Sequence, residues 1–121
     1  MLNVDTHVLI DAMAGLLPAR EERLLRCETW SVSAIVVWEL AKLAQLGRIE
    51  LDLDDPEVGR YLAQIHVWPL SLEVVRAIKR LDFRSDHADE LIAATSLVHG
   101  VRLLTRDSKI RKSKVVPLAR A

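Results

Sequence analysis

The residues best equipped for chemistry are carboxylates in unusual company. Asp5 closes the apolar run Leu2-Asn3-Val4. Glu39 stands inside Ile35-Val36-Val37-Trp38-Glu39-Leu40-Ala41, a nearly all-apolar stretch. Asp86 and Asp89 lie three residues apart in Ser85-Asp86-His87-Ala88-Asp89-Glu90, and Asp107 follows Val101-Arg102-Leu103-Leu104-Thr105-Arg106. Each has an ordinary explanation. Glu39 could pair with Lys42 on the polar stripe of a helix, for a few tenths of a kcal/mol. Asp86 could cap a helix and Asp89 sit in its first turn, both favoured by the helix dipole. Together they suggest more. Asp5, Glu39, Asp89 and Asp107 converging without cations would repel and raise one another's pKa values. A divalent cation resolves that repulsion, and hard oxygen ligands suit Mg²⁺, with Mn²⁺ as its substitute. Such a cation activates water and neutralises charge on a phosphate, the chemistry of phosphodiester hydrolysis. Thr6 and Thr105 flank two of the acids and can hydrogen-bond to them. Ser33 could point its hydroxyl into the same cleft, although helix capping is reason enough for it. His7 and His87 lie near the acids in sequence and are not needed as ligands; His66 and His99 join no evident constellation.

The elements that must position these groups alternate strand with helix. Short apolar runs predict strands at 2–4, 30–32, 67–70 and 101–105, with a possible fifth at 115–118. Helical spacing predicts helices over 6–17, 19–26, 34–46, 57–65 and 72–81, and another from Ser85-Asp86 to His99. Ser33 caps the third of these and Gly47 ends it; Gly100 ends the last. Pro69 demotes the third strand to a sheet edge. Alternation along the whole chain predicts an α/β sandwich around a central, mainly parallel sheet of four to five strands. In such sheets ligands bind beyond the carboxyl ends of the strands. Asp5 ends the first strand and Asp107 follows the fourth, so one cleft should hold both.

Composition narrows the classes. The chain has 121 residues, one domain's worth, and no stretch reads as a linker, so residues 1–121 are expected to form a single domain. Half the residues are hydrophobic, which excludes intrinsic disorder. Seventeen Lys and Arg balance seventeen Asp and Glu, which excludes a wholesale basic coat. The single cysteine, Cys27, excludes an internal disulfide and a cysteine-rich zinc site and suggests a reducing, cytoplasmic setting. No apolar run approaches the roughly 18 residues of a membrane span. Cations are uneven: Arg102, Arg106, Lys109, Arg111, Lys112 and Lys114 face a single acid, Asp107, within 102–114. That stretch could hold an RNA backbone or be a solvated helical face. Of Trp30, Trp38, Trp68, Tyr61 and Phe83, several lie in apolar runs and read as core, leaving no evident platform for base stacking.

Taken in order, Asp5-Thr6-His7, Ser33, Trp38-Glu39-Leu40, Leu46-Gly47-Arg48, Asp89-x-x-Ile92-Ala93-Ala94, Thr105-Arg106-Asp107 and Val115-Val116-Pro117-Leu118 resemble the PIN-domain toxin ribonucleases of the VapC type. The resemblance spans nearly the whole chain. It implies a PIN-like α/β/α sandwich and a metal-dependent endoribonuclease serving as the toxin of a type II toxin–antitoxin pair. Asp5, Glu39, Asp89 and Asp107 would line its metal site. It further implies a cognate antitoxin as partner, an RNA substrate, a homodimer and larger toxin–antitoxin assemblies. Two features depart from the pattern: Glu90 stands where many relatives carry Arg, and Asp86-His87-Ala88 where Asp-Pro-Phe is common.

Other readings weigh less. A haloacid-dehalogenase-like phosphatase needs a second Asp two residues after the first, and that position is His7. A receiver domain needs paired acids and a late-strand Lys that are missing. No Gly-rich phosphate loop is present. A PIN-like module that binds RNA or protein without catalysis is the remaining alternative, and the presence of all four acids speaks against it.

Overall fold

A computed structural model describes residues 1–120. Four parallel strands form one sheet in the order β3-β2-β1-β4: β1 (Leu2–Val4), β2 (Trp30–Ser33), β3 (His66–Trp68) and β4 (Arg102–Leu104). Between and after them run α1 (Thr6–Ala14), α2 (Ala19–Arg26), α3 (Ala34–Gln45), α4 (Pro56–Ala63), α5 (Leu72–Ala77), α6 (His87–His99) and α7 (Ser108–Arg111). The α/β architecture with a parallel sheet follows the expectation from alternation, and β3 takes the predicted edge.

Helix starts are written in local chemistry. The side chains of Asp5, Ser33, Asp55, Ser71, Asp86 and Asp107 each accept a bond from a backbone N–H of the helix that follows. Ends were harder to place. The helix expected over 6–17 stops at Ala14, because Gly15 takes a left-handed φ of 72°. The helix expected over 72–81 is α-helical only to Ala77 and tightens into a 3₁₀ turn over Ile78–Arg80. The possible fifth strand at 115–118 is reduced to one bridge, Leu103 to Leu118. The reason is local: Ser113 Oγ accepts the amides of Val115 and Val116, curling the chain before it reaches the sheet. Helix α7 lies where sequence periodicity assigns no element.

Strand β1 is central and wholly buried, so it reads apolar on both faces apart from Asn3. Its neighbours carry the core: Leu2, Val4, Val8 and Leu9 pack with Val32, Val36 and Leu40, and with Ile92, Ala93, Leu103 and Ile110. Asn3 Nδ2 donates to Ser96 Oγ at 2.9 Å, both fully buried, and this bond ties α6 to the central strand. Small residues at 93, 94 and 96 of α6 are fully buried. The chain moves outward from β1 through β2 to β3, then returns to place β4 on the other side of β1. The order therefore reverses between β1 and β4, and the crevice beyond their carboxyl ends is the expected ligand site of such a sheet.

Candidate active site

That crevice is a cavity of about 490 Å³ lined by Asp5, Thr6, His7, Val8, Asp11, Glu39, Asp86, Asp89, Arg106 and Asp107. All four acids expected to converge do so. Asp5, delivered by the end of β1, is only 6% exposed. Its Oδ1 accepts the Thr6 amide at 2.8 Å, and its Oδ2 accepts the Thr105 hydroxyl at 2.5 Å. Thr105 in turn accepts the Asp107 amide at 3.1 Å, so one hydroxyl links the two strand-end acids. Asp107 Oδ1 caps α7 by accepting the Ile110 amide at 3.0 Å. Glu39 comes from α3 and accepts a short bond from the Thr6 hydroxyl. Lys42 bonds Gln45 instead, so the Glu39–Lys42 pair does not form. Asp89 Oδ2 accepts the Ser85 hydroxyl at 3.1 Å. Asp86 both lines the cavity and caps α6, its Oδ1 accepting the Asp89 amide at 3.0 Å.

The electrostatics are those of crowded like charges. Burial, then the Asp86 charge, pushes Asp89 up to about 6; Asp5 and Asp107 add to the rise and the Ser85 bond opposes it. Glu39 is also raised, first by burial, then by the charges of Asp5 and Asp86, against the Thr6 bond. The donor set is hydroxyl and carboxylate oxygen only, which suits a hard divalent cation. Among the described residues, no three His, Cys, Asp or Glu side chains already close around one point. Each acid is instead turned toward a local donor, as repulsion between carboxylates requires. Those donors engage one oxygen each of Glu39, Asp89 and Asp107, and the cavity walls present the acids to a common space. The set fits such a cation.

Several expected roles change. Ser33 is fully buried and caps α3 through the Ile35 amide; it does not line the cavity. Arg102 opens β4, at the end of the sheet opposite the acids, where its guanidinium pairs with Glu28 at 2.8 Å beside the Met1 amine. It does not belong to an RNA-binding set around this cavity. Arg106 does line the cavity, but its charge is spent internally. Nε and Nη2 form a two-pronged pair with Glu21, 2.9 and 2.5 Å, and Nη1 reaches Asp11 at 2.6 Å. Two carboxylates already neutralise it, so it offers an RNA phosphate little net attraction. Lys109, Arg111 and Lys112 remain exposed on and just after α7. Trp38, expected in the core, is 56% exposed on α3. His66 and His99, which joined no constellation in sequence, meet at Trp68: His99 stacks on the tryptophan at 4.0 Å and His66 lies edge-on to it. Asp11 and Glu21 escaped the sequence analysis because their partner lies more than 80 residues away; only the spacing of Glu21, one helical turn before the buried Leu25, hinted at it.

Similarity to known proteins agrees with this geometry. The chain is 29% identical over 100 residues to ribonuclease VapC22 of Mycobacterium tuberculosis, covering 79% of this chain and 76% of that one. Its fold superposes on a toxin–antitoxin complex from Klebsiella pneumoniae with a TM-score of 0.75, at 17% identity over 99% of this chain and 97% of that one. It also superposes on VapBC2 from Rickettsia felis, bound there to a promoter DNA fragment, with a TM-score of 0.74 at 16% identity over 98% of both chains. The PIN domain model matches residues 3–115. A parallel sheet with acids gathered at its switch point, and that match over almost the full length, place the chain in the PIN domain family.

Proposed function

We propose that this chain is the toxin of a toxin–antitoxin pair, an endoribonuclease that hydrolyses RNA phosphodiester bonds with a bound Mg²⁺ or Mn²⁺. The observation that carries the reading is the cavity itself: four carboxylates from β1, α3, α6 and the β4–α7 loop face one space with their charges unneutralised by Lys. The similar Mycobacterium tuberculosis protein is a ribonuclease by name, and the similar folds come from toxin–antitoxin complexes. Asp5, Glu39, Asp89 and Asp107 would hold one or two cations. When bound, the cation supplies an activated water and stabilises charge on the phosphate. The protein's own contribution is orientation. Thr105 fixes Asp5, Thr6 fixes Glu39, and Ser85 fixes Asp89, so each carboxylate is held at the cavity wall by a neighbouring hydroxyl. Asp86 supports the site by capping α6 and holding Asp89 at its first turn. Lys109, Arg111 and Lys112 would contact the RNA backbone from α7.

The partner follows from the same charge. An antitoxin segment laid over the cavity, with an Arg directed at the acids, would neutralise them through bidentate bonds and exclude both cation and RNA. The toxin would act in the cytoplasm as a homodimer, released when the antitoxin is lost. The deciding experiment incubates purified, antitoxin-free protein with total RNA, with Mg²⁺ and with EDTA, and maps the cut ends. Cleavage with Mg²⁺ and none with EDTA is expected. Equal cleavage in both overturns the metal mechanism, and no cleavage in either favours the non-catalytic binding module.

A further inference from the structure

Among the described residues, Glu21, on α2, is the single charged side chain buried nearly completely away from the cavity, at 3% exposure. Burying a carboxylate is costly unless it is paired and hydrogen-bonded. Its partner is Arg106, which binds both Glu21 oxygens and also Asp11 on α1. The pair thus joins α1 and α2 to one short loop after β4. Arg106 stands between Thr105, which bonds Asp5, and Asp107, which caps α7. Fixing the Arg106 side chain restricts the backbone on both sides of it. A planar guanidinium held at three points resists rotation, which a lysine ammonium would not.

We propose that Glu21, Arg106 and Asp11 form a positioning strut that sets the Thr105–Asp107 loop, and through it the relative placement of Asp5 and Asp107. The inference rests on the metal-site reading for its consequence, although not for its geometry. It assigns Arg106 to the framework of the site, not to RNA contact. Neither Glu21 nor Arg106 touches the reacting phosphate; both act through the two acids.

Removing one partner alone would leave a buried or crowded charge and threaten folding. The test therefore uses two variants: Arg106→Lys, which keeps the charge and loses the fork, and the double variant Glu21→Leu with Arg106→Met, which removes both charges and keeps the volume. Amide hydrogen exchange is followed by NMR on protein without metal. The strut predicts that the amides of Asp107 and Ile110 exchange at least about tenfold faster in both variants, while those of Ile92 and Ala93 in α6 are unchanged. Titration with Mn²⁺ alone should show an affinity lowered by about tenfold, the usual size for a lost supporting group. With RNA, kcat should fall and KM stay constant. Unchanged exchange at Asp107 and Ile110 overturns the proposal, as does faster exchange spread evenly over all elements. A wild-type protein that fails to bind Mn²⁺ would instead sink the metal-site reading, while the exchange data still decide the strut.

Discussion

Asp89 shows how a single residue reports the state of the site. Its carboxyl titrates at about 6 in the fold against 3.8 in an unstructured chain, so the folded protein holds that proton more tightly. The contribution of Asp89 to stability is therefore full below pH 3.8 and is lost as pH rises through about 6. Such a displacement corresponds to at most about 3 kcal/mol; water around a half-buried carboxylate reduces it to roughly 1 kcal/mol. Metal-free protein should accordingly lose this increment of stability between pH 4 and 7. Asp89→Asn should abolish the loss, melting higher than wild type at pH 7 while cleaving RNA at least about a hundredfold more slowly. Thermal melts across pH with cleavage rates check both halves. Added Mg²⁺ should raise the wild-type melting temperature more at pH 7 than at pH 5, because the ligands must be deprotonated to bind. Asp5→Asn should also lose activity by at least about a hundredfold. Its fold survives because the Thr6 amide keeps an oxygen acceptor and one repulsive charge is gone; a melt shifted by less than the effect of about 1 kcal/mol is expected.

At the scale of elements, α6 and its cap bring two acids to the cavity with different work. Asp86 accepts the amide of Asp89 and begins the helix, so Asp86→Ala should cost about 1 kcal/mol of stability. It should leave measurable cleavage. Because the Asp86 charge raises both Asp89 and Glu39, the same change should shift the rise of activity with pH toward lower pH. A pH–rate profile of the variant that matches wild type would contradict that coupling. The other end of α6 is set by Gly100 at φ 64°, a left-handed conformation that costs an L side chain. A Cβ there meets nothing within 4 Å, so Gly100→Ala should cost only that strain, about 1 kcal/mol, with kcat unchanged. Denaturant melts and steady-state kinetics test it.

Over the whole molecule, charge is balanced in total and uneven in place. Acids gather at the switch-point cavity, and the exposed cations of α7 follow Asp107, the cap residue that lines it. Arg102 and Arg106 are removed from that account by their ion pairs with Glu28 and with Glu21 and Asp11. RNA affinity should then depend on the exposed lysines. Replacing Lys109 and Lys112 together by Gln should raise KM with little change in kcat. It should also lower the slope of log affinity against log salt by about 1.4, from about 0.7 per phosphate contact on a single strand. The Arg102→Gln variant should leave the slope as it is. Binding measured from low to high salt distinguishes the two sets.

What the sequence determined by itself was set by local rules. Alternation of strand and helix, the caps at Ser33 and Asp86, the stop at Gly100 and the edge position of the third strand depend on neighbours a few residues away. The convergence of Asp5, Glu39, Asp89 and Asp107 was legible too, because strand ends and the flanking helices of a parallel sheet have few places to go. Helix α7 was also within reach: Asp107 followed by Ser108 is a capping signal, hidden by the run of cations around it. Only the tertiary structure decided the fates of Arg102 and Arg106. A cation free in sequence is indistinguishable from one paired, and the partners of these two lie 74 and 85 residues away. The fifth strand failed for a similar reason: residues 115–118 have the apolar pattern, but Ser113, tethered to Asp82 at 2.5 Å, turns the chain before it can extend. Pattern specifies which residues want to be buried or capped. Which distant groups meet is settled only when the chain closes on itself and every buried charge must find its partner.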